Sequence, residues 1–93
     1  MTKVIFNYDG EGGIYFDCLN HAGDDWPCAC ASTLCNVLAY ACHRKDIKPR
    51  CFEPGHVTIE IRGADEATTE LFQVVEGTFE GLQEEFPDHI KIY

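Results

Sequence analysis

Apolar positions along this chain change period four times, from alternation to helical spacing and back. Residues 3–8 (KVIFNY) and 14–18 (IYFDC) are short aromatic and β-branched runs separated by the glycine-bearing DGEGG, the pattern of a β-hairpin. The polar stretch LNHAGDD follows and reads as a loop. It ends where Asp25 can cap a helix whose first turn holds Pro27. That helix is predicted from about Pro27 to Lys45, with His43, Arg44 and Lys45 complementing the negative end of its dipole. RCFE at 50–53 and HVTIEI at 56–61 form a second hairpin across Pro54 and Gly55. In ADEATTELFQVVEGTFEGLQEEF, Leu71, Val74, Val75, Phe79, Leu82 and Phe86 return to helical spacing. Gly77 and Gly81 each weaken such a helix by about 1 kcal/mol relative to alanine, so a close neighbour or a bend is expected there. Pro87 stops the helix, and the closing IKIY supplies an edge strand.

The order β-β-α-β-β-α-β predicts an α+β fold of two layers, a mainly antiparallel sheet with two helices. At 93 residues the chain is one domain, 1–93, with no room for a second core. If both helices share one face of the sheet, polar groups or a second subunit must cover the other, which makes a homodimer the natural assembly to consider.

Charge narrows the partners. Sixteen acidic residues against seven basic ones give a net charge of −9, which repels phosphate backbones and anionic lipid. No direct nucleic-acid or membrane binding is expected. The acidity either serves solubility or favours a basic polypeptide. The longest apolar run, 26–42, is broken by Ser32, Thr33 and Asn36 and is too short and polar to cross a bilayer. With no basic-plus-apolar leader at its start, the chain is expected in the cytoplasm. Its six cysteines are then read as free thiols in a reducing compartment. Cys28, Cys35 and Cys42 recur every seven residues along one helical stripe, where Cys35 and Cys42 act as small apolar core residues.

Cys28 differs from those two because it falls in the first helical turn, where unpaired backbone N–H groups favour a thiolate and can stabilise an oxyanion. His21 lies seven residues upstream, across a connection whose Gly23 lets it turn back. A cysteine and a histidine at this distance form a common pattern, and it has competitors. Cys18, His21, Cys28 and Cys30 read as C-x-x-H followed by C-x-C, a possible zinc-binding module. A catalytically silent domain that binds a basic partner is the other. Trp26 is either a wall for an aromatic substrate side chain or packing against the helix.

The string HAGDDWPCACASTL, preceded by two strands and followed at the far end by LQEEFPDHIKI, resembles the ribosomal-processing cysteine proteases of the Prp, or YsxB-like, family. Three separated anchors occur in that family's order, and the resemblance covers nearly the whole chain. It implies a Cys–His dyad of Cys28 and His21, with Asp25 and Ser32 at the supporting positions. Asp25 then either orients His21 or caps the helix, and Ser32 lies one turn beyond Cys28 on the same face. The implied activity is removal of an N-terminal extension from a basic large-subunit ribosomal protein, or cleavage of a related phage substrate, with no cofactor. The loop between His21 and Cys28 is shorter than the family's, Asn20 replaces a glycine, Pro27 an aliphatic residue, and Cys30 a small apolar one.

Overall fold

A computed structural model describes residues 1–19 and 26–93 of the chain. Strands β1 (Thr2–Tyr8) and β2 (Ile14–Leu19) pair antiparallel, with Phe6 opposite Phe16 and Val4 opposite Cys18. The turn between them is set by Asp9, whose Oδ1 accepts from the backbone N–H of Glu11 at 2.7 Å and of Gly13 at 2.8 Å. Gly10 and Gly12 take the positive φ this turn needs, 81° and 88°. Helix α1 (Trp26–Arg44) follows, then β3 (Cys51–Glu53), β4 (His56–Ile61), α2 (Glu66–Glu85) and β5 (Ile90–Ile92). The predicted element order and the α+β class are both found.

The five strands lie in the order β3-β4-β2-β1-β5. Three of the four pairings are antiparallel, but β5 lies parallel to β1, so the sheet is mixed. The reason is the crossover: β4, α2 and β5 form a unit in which the helix carries the chain back to enter the sheet in its former direction. The closing strand does occupy an edge, as the sequence implies.

Register puts Val4, Phe6, Ile14, Phe16, Cys18, Val57, Ile59, Ile61 and Ile90 on one face, and all are buried. Both helices cover that face. α1 contributes Ala31, Cys35, Leu38 and Cys42, and α2 contributes Phe72, Val75 and Phe79, each set at helical spacing. Phe16 is the hub, with ring centroids 4.8 Å from Phe6, 6.2 Å from Phe79 and 6.5 Å from Phe72. α2 begins two residues into the stretch that opens at Ala64 because Asp65 is used as the N-cap, Oδ1 accepting from Thr68 N–H at 2.8 Å. The other Asp65 oxygen receives Lys45 Nζ from just beyond α1 at 2.9 Å, tying the helices together.

The expectation for Gly77 and Gly81 is corrected. α2 is continuous through both, and nothing lies within 4 Å of where a Cβ would stand on either. Among the described residues no helix is long and apolar enough to cross a membrane.

Candidate functional site

The start of α1 places the residues singled out by the sequence. Trp26 opens the helix, and Pro27 is buried at the next position, where a missing N–H costs nothing. Cys28 comes third and is partly exposed. It lies in the turn whose backbone N–H groups have no intrahelical acceptor, at the positive end of a 19-residue helix. Its Sγ is 3.9 Å from the Oγ1 of Thr2, a buried residue of β1. Thr2 is itself held from the β5 side, since its N–H donates to the His89 carbonyl at 2.7 Å and it pairs with Ile90 of β5. This neighbour follows from the β1–β2 register: Lys3 opposes Leu19, so Thr2 lies beside the end of β2, the strand that precedes α1 in the chain.

Ser32, half-buried, follows Cys28 by one turn on the same flank of α1. Beyond it a depression of about 310 Å³ opens between α1 and the β3–β4 hairpin, lined by Ser32, Asn36, Phe52, Glu53 and Pro54 among others. Trp26 and Cys30 point elsewhere. Both line a separate groove between α1 and α2, and residues two apart on a helix are turned about 200° from one another. His21 and Asp25 lie outside the described residues.

The remaining helix cysteines behave as the stripe predicts. Cys35 and Cys42 are buried, and burial pushes the Cys42 thiol up. Cys18 lies in the core of β2, where hydrogen bonding to Cys35 and then burial hold its thiol strongly in the neutral form. These groups are poor nucleophiles, whereas Cys28, Cys30 and Cys51 are partly exposed, and of these three Cys28 lies nearest the start of α1. The same geometry works against the zinc reading. Cys28 and Cys30 face different flanks, Cys18 is sealed in the core, and among the described residues no three His, Cys, Asp or Glu side chains converge to hold a metal.

A second polar cluster, on the sheet face away from the helices, was not legible in the sequence. Thr58 donates to Asp17 Oδ1 at 2.7 Å, and His56 Nε2 lies 3.1 Å from the same oxygen and 2.9 Å from Thr58 Oγ1. Asp17 is only 9% exposed, so these contacts replace the water it loses. They follow from register: Asp17 pairs with Thr58, and His56 is two residues along β4 on the same side.

No protein-family model matches the chain, and no curated protein matches it. The fold does have a solved counterpart: SMU.848 from Streptococcus mutans superposes with a TM-score of 0.79 at 22% identity, over 99% of this chain and 91% of that one. At that identity the likeness establishes the fold alone, a five-stranded mixed sheet with two helices on one face.

Proposed function

We propose that this chain is a cysteine endopeptidase with Cys28 as nucleophile and His21 as its base. The observation that carries the reading is the position of Cys28, a partly exposed thiol in the first turn of α1 with a hydroxyl beside its sulfur. The Cys28 thiolate attacks the carbonyl carbon of a peptide bond, and the oxyanion that forms faces the N–H groups of the helix start. The C–N bond then breaks as His21 gives its proton to the leaving amine. Water, deprotonated by His21, hydrolyses the thioester and returns the thiol. Ser32 and the depression beyond it offer a bed for substrate chain on the flank that carries Cys28.

The proposed substrate is the N-terminal extension of a basic large-subunit ribosomal protein or a related phage polypeptide, in keeping with the net charge of −9. Six free thiols suit a reducing compartment, the cytoplasm. Incubation with peptides from the N-termini of the host's ribosomal proteins tests the proposal. Cleavage that disappears in Cys28→Ala and in His21→Ala is expected, and persistence of cleavage in Cys28→Ala would refute it.

A further inference from the structure

We propose that the groove between α1 and α2 is a docking site for an amphipathic, lysine- or arginine-rich helix of a partner polypeptide, separate from the thiol site. The outward seam of α1 runs Trp26, Cys30, Thr33, Val37, Tyr40, a repeat of four and three residues that presents one continuous edge. Trp26 is 69% exposed, Val37 41% and Tyr40 62%, and Val74 on α2 is 59% exposed. Among the described residues these are four of the seven large apolar side chains left in water, and scattered exposure alone does not gather them on two adjoining helices. Between the helices lies a cavity of about 360 Å³ lined by Trp26, Cys30, Thr33, Leu34, Thr78 and Leu82.

Gly77 and Gly81, one turn apart, each precede an α2 residue that lines the groove, Thr78 and Leu82, with open space where their side chains would be. They weaken the helix and serve no contact within the chain, yet they let another backbone come close. Charge selects the occupant. α2 carries six glutamates and no lysine or arginine, whereas α1 carries no acidic residue. A second copy of the chain brings another nine net negative charges to this surface, while a helix with an apolar stripe and basic flanks matches both the seam and the net negative charge of α2 beside it.

Trp26 is the only tryptophan and stands at the groove, so its emission reports occupancy. The test titrates the full chain with three synthetic peptides of about five helical turns. One is amphipathic with a leucine face and lysine flanks, one has glutamate in place of the lysines, and one is a scrambled lysine peptide of equal charge. A saturable blue shift is expected with the amphipathic lysine peptide alone. Binding should weaken roughly tenfold in Gly77→Leu with Gly81→Leu, with circular dichroism reporting the integrity of α2, and likewise in Val37→Ser with Tyr40→Ser. Equal binding of the scrambled peptide, no binding of any peptide, or binding unchanged in both double variants would overturn the proposal. So would sedimentation showing a dimer that Val37→Ser with Tyr40→Ser separates, since the groove would then be filled by a second copy.

Discussion

The hydroxyl of Thr2 and the thiol of Cys28 meet across 26 residues of sequence, 3.9 Å apart, where the first strand passes under the first helix. Either group can donate in this contact, but to a thiolate only the hydroxyl can, and that bond favours the ionised form over the thiol. Thr2→Val keeps the shape and removes the donor. Alkylation of Cys28 by iodoacetamide near neutral pH should slow by roughly five-fold, the rate equivalent of about 1 kcal/mol. Mass spectrometry of the labelled peptide reads the rate, and an unchanged rate means the hydroxyl does not act on the sulfur.

On the opposite face of the sheet, Asp17 depends on Thr58 for its shortest hydrogen bond, 2.7 Å. Thr58→Val deletes that donor while the carboxylate stays buried, and about 1–3 kcal/mol of stability should be lost. Urea unfolding followed by circular dichroism measures it. His56→Ala should cost less, because that ring is 39% exposed and water can take its place.

Asp65 serves two partners, the N–H of Thr68 and the ammonium of Lys45. The Thr68 bond first, and Lys45 after it, hold this carboxyl well below the usual aspartate range. A carboxyl whose acidity is strengthened by folding stabilises the fold above its unfolded pKa, about 3.9, and loses that effect as pH falls toward its folded value. Asp65→Ala should therefore melt below wild type at neutral pH, by a larger margin than Lys45→Ala. The margin should narrow as pH falls from about 5 to about 2. Calorimetry across that range checks both statements, and a margin that is constant with pH would count against the cap.

Gly77 and Gly81 sit in the middle of a continuous helix with no neighbour. Replacing either by alanine should stabilise the chain by about 1 kcal/mol. A rise in the urea midpoint, with slope unchanged, is the expected result.

Much of the fold can be read from the chain because local patterns and tertiary demands agree. Val57, Ile59 and Ile61 alternate and are buried together, and Phe72, Val75 and Phe79 recur every three or four residues and fill the core over Phe16. What escapes such reading is long-range pairing. Neither the parallel entry of β5 beside β1 nor the meeting of Asp17 with His56 and Thr58 has a local signature, since both depend on which strands become neighbours. Cys28 and Ser32 are found on one flank of α1 because helical spacing alone decides that. The two glycines mislead for a similar reason: their cost is local, and no packing within the described residues requires them.

The parallel clasp of β1 and β5 also gives the molecule an order of completion. Thr2 is held by His89 and Ile90, and the backbone N–H of Tyr93 donates back to the Val4 carbonyl, so β1 and β5 finish one another. The residue that touches the Cys28 sulfur is thus braced by β5, and a nascent chain in which that strand is not yet seated holds its thiol against a strand whose outer edge is still open.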